Sequence, residues 1–376
     1  MIQRCIVCLG VSLILFGCKN PSDSDTPSPT LVEMVVVDSS IVKEKNYFLN
    51  GQLESKLIQD SIIVVSSIKS PGISSFHING DELGQITAKN HPEAPFIPSS
   101  FDLTDYPIIY ILDRKRGVIQ KFDLENNFYF KSIKLKLPEG KAPKLALSKF
   151  KKVGDNFFVE LENSFFDAYD PNYYNDLNKM IYSFDSLGNP IDGFLQYPKI
   201  IKDYPGSISA QNYLVSSHLN KYFLFSFPHE GLISRISDSF PFEVSEQIML
   251  PKSRYFNYQL VGSERSISSE DMMAGGELAS TPLNHNFIKI IENDEKIYIQ
   301  TWMIEQNSFS AERQFFTHLI IYDKIQKLWY ENIPRLFFEL GHLAGVANDT
   351  LYFFEGNLRL NDEKYIKRAV LRPIED

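Results

Sequence analysis

The chain has 376 residues, 47 acidic against 38 basic side chains and a formal net charge of −9. That balance argues against a partner as acidic as a nucleic acid. The apolar share (43%) and charged share (23%) are those of a globular domain, and 29 Phe with 19 Tyr favour strands.

All three cysteines, Cys5, Cys8 and Cys18, fall in the first 18 residues. Residues 1–17 have a short start with one positive charge at Arg4, an apolar run over 5–16, and a small residue, Gly17. This is the layout of a secretory signal, and the run is too short to span a bilayer comfortably. Leu15-Phe16-Gly17-Cys18 resembles the bacterial lipobox. There a small residue precedes a cysteine whose thiol takes up diacylglycerol, and the signal is cut before that cysteine. An ordinary cleaved signal or a short buried helix is the alternative. The lipobox predicts a mature chain starting at Cys18, lipid-anchored in a bacterial envelope. The expected place is the outer membrane, on its periplasmic or surface face. No thiol then remains for disulfides or catalysis. Residues 19–30, "KNPSDSDTPSPT", contain no apolar side chain and cannot bury surface. They are expected to tether the lipid to the folded domain, reaching at most about 40 Å.

From residue 31 to 376 the chain reads as one all-β domain. "LVEMVVVDSSI" (31–41) is a strand without a partner nearby. A short apolar run then recurs: "SIIVV" at 61–65, "IIYIL" at 108–112, "FFVEL" at 157–161, "YFLFS" at 222–226, "KIYIQ" at 296–300 and "LYFF" at 351–354. Hairpin turns are expected at Asn79-Gly80, at Glu125-Asn126-Asn127, at Leu187-Gly188-Asn189-Pro190 and near Asp323, where Asx and Gly tolerate left-handed backbone. Strand pairs repeating at about 45–50 residues point to a β-propeller. Six recurrences predict six blades of antiparallel strands, with insertions in the third and fourth units and a short last unit. The strand at 31–41 is expected to close the ring beside the C-terminal strands. A β-sandwich or a two-domain β protein is the alternative.

Two stretches break the pattern. "NSFFDAYDPNYYNDLNKM" (163–180) sets Phe165, Phe166, Tyr169, Tyr173 and Tyr174 among Asp167, Asp170 and Asp176. Aromatic faces can stack on sugar rings while carboxylates bind hydroxyls. Phe165, Phe166, Asp167, Tyr169, Asp170, Tyr173 and Tyr174 are therefore candidate ligand contacts. The bland reading is a loop packed on the propeller rim. The three acids could also ligate calcium, but their spacing is not that of an EF-hand. "GSERSISSEDMMAGGELASTPLNH" (262–285) reads as a long loop with a short acidic helix signal.

The seven histidines show no paired spacing, so no zinc site is expected. Neither a P-loop nor a G-x-S-x-G elbow occurs. No cofactor and no catalytic residue are predicted.

The lipobox and tether, with "IIYILDRKRGVIQKFDLENN", "KYFLFSFPHEGLISRISD", "NHNFIKIIENDEKIYIQTW" and "LIIYDKIQKLWYENIP…GVANDTLYFF", resemble a family of uncharacterised lipoproteins of Bacteroides-like bacteria. The resemblance spans most of residues 45–376 and implies a six-bladed propeller-like domain. It implies no known activity, and only Cys18 is carried over as a functional residue. The expected role is a lipid-anchored binding or scaffold module whose ligand is a glycan, a peptide or an envelope protein. The rival is a hydrolase or lyase acting on polysaccharide, its site in the propeller channel.

Overall fold

The computed structural model describes residues 27–45, 49–145, 147–166, 168, 170–175, 178–208, 213–263, 283–305, 314–355 and 363–374. Cys18, the tether up to residue 26 and most of the 262–285 stretch lie outside them.

The first strand, β1 (Thr30–Ile41), leads into a sheet of β2 (Gln52–Ile58), β3 (Ile62–Ser67), β4 (Gly72–His77) and β5 (Glu82–Thr87). A second sheet holds β6 (Pro98–Asp102), β7 (Ile108–Asp113), β8 (Val118–Asp123) and β9 (Phe128–Lys134). The third holds β10 (Lys141–Pro143), β11 (Phe150–Val153), β12 (Asn156–Asn163), β13 (Ile181–Phe184) and β14 (Pro190–Phe194). The fourth holds β15 (Val215–Leu219), β16 (Tyr222–Phe227), β17 (Leu232–Ser237) and β18 (Val244–Met249). Within each sheet, neighbouring strands pair antiparallel.

The remaining strands form one ten-stranded sheet. Its first run comprises β19 (Asn286–Glu292), β20 (Lys296–Glu305), β21 (Gln314–Thr317), β22 (Leu319–Asp323) and β23 (Leu328–Asn332). The short β24 (Arg335–Leu336) pairs with β21 in that run, and the second run comprises β25 (His342–Ala347), β26 (Thr350–Glu355) and β27 (Tyr365–Pro373). The strand β1 joins the runs. It pairs antiparallel with β27 from Val32↔Pro373 to Ile41↔Tyr365, and its first residues lie parallel to β23. The expected closure beside the C-terminal strands is therefore present. Where the sequence suggested a last unit of two strands, β25, β26, β27 and β1 pair in order.

The turns form where Asx side chains cap them. Asp123 Oδ1 accepts from Asn126 N at 2.9 Å, Asp185 Oδ1 from Leu187 N at 2.9 Å, and Asp323 Oδ1 from Gln326 N at 2.7 Å. Gly80 has φ +91°, and a Cβ there would stand 1.9 Å from the Ile41 carbonyl oxygen, so that turn must be glycine.

The core runs between the sheets. Ile62 and Val64 of β3 pack with Ile109 and Ile111 of β7. Tyr110 and Leu112 of β7 face Phe157 and Val159 of β12. Phe158 meets Phe223 and Phe225 of β16, Leu224 meets Ile297 and Ile299 of β20, and Tyr298 meets Leu351 and Phe353 of β26. Phe354 and Tyr352 return to Ile63 and Val65. Alternate residues of each second strand thus serve the two neighbouring sheets, and the packing closes on itself. This is a β-propeller arrangement, held by strand-on-strand burial. The recurring apolar runs of the sequence are these second strands.

Candidate functional site: a cationic axial channel

The first strands of the units, β2, β6, β11, β15, β19 and β25, line one channel with a cavity of about 420 Å³. Alternating side chains face it, because successive residues of a strand point to opposite sides. Among the lining residues are Glu54, Ser100, Lys149, Lys289 and His342, with Lys56 and the Asp102–Lys151 pair.

Two of the four channel lysines are matched by acids. Lys56 Nζ lies 3.1 Å from Glu54 Oε1, donates to the Phe101 carbonyl and stands 4.6 Å from the centre of the Phe101 ring. Lys151 Nζ is 3.0 Å from Asp102 Oδ2. The other two have no carboxylate within ion-pair distance among the described residues. Lys149 Nζ donates to the Leu147 carbonyl at 2.9 Å. Lys289 Nζ donates to the Ala344 carbonyl at 3.3 Å and to the Ser55 carbonyl. The nearby Glu160 is already held by Lys144 at 2.9 Å and meets Lys149 through its backbone N–H, also at 2.9 Å.

These surroundings move the proton affinities. Burial, against the pull of Glu160, pushes the Lys149 ammonium down to about 8. Burial pushes Lys289 down to about 7, with Glu54 opposing and Lys56 and Lys149 adding to the shift. His342 falls to about 4, through burial and the charge of Lys289, and is neutral at neutral pH. Burial would raise Glu54, but Lys56, Lys289 and the Ser100 hydroxyl (2.8 Å) hold it below the usual carboxylate range. The channel is therefore a cationic pocket in an acidic protein.

The candidate contacts of 163–180 are scattered by the fold. Phe165 is 69% exposed beside Gly140. Phe166 packs at the edge of the core between the third and fourth sheets. Asp170 caps a short helix, α1 (Pro171–Asn175), accepting from Asn172 N at 2.8 Å. Tyr173 and Tyr174 are buried, 5% and 4% exposed, with ring centres 5.0 Å apart and Tyr174 5.0 Å from Tyr197. They are core rings, closed to stacking on a ligand. Asp167, Tyr169 and Asp176 lie outside the described residues. No cluster of three metal-ligating side chains occurs among the described residues.

A Ser–His–Glu grouping lies between Ser253, His318 and Glu331. The serine hydroxyl donates to Glu331 Oε2 at 2.7 Å and stands 3.5 Å from His318 Nε2, while His318 and Glu331 are fully buried. In a nucleophile triad the hydroxyl bonds the histidine and the acid orients it. Here the acid takes the hydroxyl's hydrogen bond, which suits a buried structural network.

Sequence reasoning missed Glu54, Lys56, Ser100, Lys149 and Lys289. Each precedes a recurring run by five to eight residues, on or just before a short strand. Lysines embedded in short stretches such as "LESKLI" and "NFIKIIE" were the available signal.

No protein-family model matches the chain, and no curated protein matches its sequence. Among the described residues no helix is long and apolar enough to cross a membrane. An exported protein of Bacteroides fragilis covers 91% of the chain and 98% of its own length, with TM-score 0.54 and 11% identity. A member of the duf4221 family from Bacteroides vulgatus covers 92% of the chain and 99% of its own length, with TM-score 0.65 and 15% identity. At these identities the likeness establishes a shared propeller-like fold with Bacteroides proteins and nothing about activity.

Proposed function

We propose that the protein is an exported, lipid-anchored binding protein whose six-bladed propeller holds a small anionic ligand in its axial channel. The observation that carries this reading is the convergence of Lys149 and Lys289, without carboxylate partners, on the cavity. Ammonium groups taken from water without a counter-charge are unfavourable, and a ligand carboxylate, sulfate or phosphate would satisfy them. The acidic exterior favours small anions that enter the channel over polyanions held at the surface. We count β19–β24 and β25–β27 with β1 as separate units, which makes six blades on this reading. Cys18 supplies the anchor.

The test is thermal stability with added sulfate at constant ionic strength, in the wild type and in Lys149→Met/Lys289→Met. Sulfate should raise the midpoint of the wild type by more than that of the double variant. Equal shifts would reflect general salt exclusion and remove the reading.

A second reading draws on His342, a neutral base candidate beside cations. In a lyase acting on acidic polysaccharide, such a base would remove a proton next to a carboxylate that the lysines neutralise. Release of unsaturated sugar products from uronate polymers by purified protein, lost in His342→Ala, would establish it. Binding without product favours the binding protein.

A further inference from the structure

Lys289 differs from the other channel cations in what holds it. Its side chain crosses from β19 to the first strands of the next two units, where backbone carbonyls of Ala344 and Ser55 accept from Nζ. Two acceptors engage two N–H groups. These two carbonyls leave one tetrahedral position of the nitrogen unengaged, on a residue that lines the cavity, and in the unprotonated amine that position can be the lone pair. Lys149, without a carboxylate within ion-pair distance among the described residues, lines the same cavity and can hold a carboxylate beside it.

We propose that Lys289 is a reactive amine that condenses reversibly with the carbonyl of a small aldehyde or ketone bearing a carboxylate. The proposal rests on the channel being an anion site. The lone pair adds to the carbonyl carbon. The carbonyl oxygen then leaves as water, taking one hydrogen from the amine and one proton from solvent. The product is a protonated imine with one N–H, which can still donate to one of the two carbonyls. Glu54, which the charge of Lys289 helps to hold below the usual carboxylate range, lines the same cavity.

Amines become nucleophilic when burial and neighbouring cations disfavour the ammonium. With its ammonium pushed down to about 7, Lys289 is about half amine at neutral pH. An ordinary lysine is amine to less than about one part in a thousand there.

The experiment treats the full chain with pyruvate and sodium cyanoborohydride at pH 7, then maps adducts by peptide mass spectrometry. Pyruvate carries both required groups, and the hydride traps the imine as a stable secondary amine. Labelling at Lys289 should exceed that of the exposed Lys69 and Lys115 by at least about tenfold, given the difference in amine fraction. Excess sulfate should suppress it, and Lys289→Arg should abolish the adduct. Labelling of Lys289 no greater than that of Lys69 and Lys115 overturns the proposal. If that occurs while sulfate still stabilises the wild type beyond the double variant, the anion site stands without a reactive amine. If the sulfate difference is absent too, the anion site itself has failed.

Discussion

Lys149 and Lys289 make the channel's chemistry depend on pH, and the sign can be worked out. Anions bind the ammonium forms. As pH rises through 7 and 8, Lys289 and then Lys149 lose protons, so anion affinity should fall between pH 6.5 and 8.5. Of the other charged or titratable groups lining the cavity, Glu54 is paired with Lys56, Asp102 with Lys151 and His218 with Asp238, Asp60 is exposed, and His342 stays neutral down to about pH 4. Stability of the ligand-free protein should move the other way. The unfolded chain binds more protons at these lysines between about pH 7 and 10, so their contribution to stability rises with pH over that range. Thermal midpoints with and without sulfate at pH 6.5 and 8.5 check both trends: the ligand-free midpoint rises and the sulfate increment shrinks. Removing one ammonium by Lys149→Met should weaken anion binding about tenfold or more, as loss of a charge-assisted hydrogen bond does. The same change should raise the ligand-free midpoint, because a desolvated charge without a carboxylate partner is gone.

The closure of the ring and the joins between units depend on individual elements. Gly345 of β25 lies against β2, and a Cβ there would stand 2.3 Å from Leu57 Cβ, a contact that backbone or core must move to relieve. Gly345→Ala should destabilise by about 1–3 kcal/mol, read by denaturant unfolding. Between the fourth and fifth units, Glu292 is fully buried and accepts from Arg235 at 2.9 Å and Lys324 at 3.1 Å. Glu292→Gln leaves two cations facing an amide and should cost about 3–5 kcal/mol. The apolar second strands were legible in the sequence because both their faces are buried, as in "SIIVV" and "KIYIQ". So were the turns, which Asp123, Asp185 and Asp323 punctuate. The first strands were not. Their channel faces are polar, so "PSSFD", "VSSHL" and "HLAGVA" read as loop or as nothing, and the candidate site went with them. The aromatic run at 163–180 raises a related difficulty. Exposed and buried tyrosines look alike in sequence, and only packing against Tyr197 separates Tyr173 and Tyr174 from Phe165.

At the scale of the molecule, the proposed anchor and the channel are separate devices. On the proposed reading, a lipid on Cys18 holds the propeller to a membrane. Cys18→Ala in the full chain should abolish acyl labelling and membrane fractionation, while an unchanged membrane pellet would contradict the anchor. The propeller brings lysines that are 93 and 140 residues apart, Lys56, Lys149 and Lys289, to one axis. No local motif announces such a site, since each unit contributes a single residue or two. The most direct test of the anion site is a crystal grown with selenate near pH 6.5 and measured at the selenium absorption edge. The account predicts an anomalous peak in the channel within hydrogen-bond distance of Lys149 and Lys289, absent in Lys149→Met/Lys289→Met. Selenate found at surface lysines while the wild-type channel shows none would contradict it.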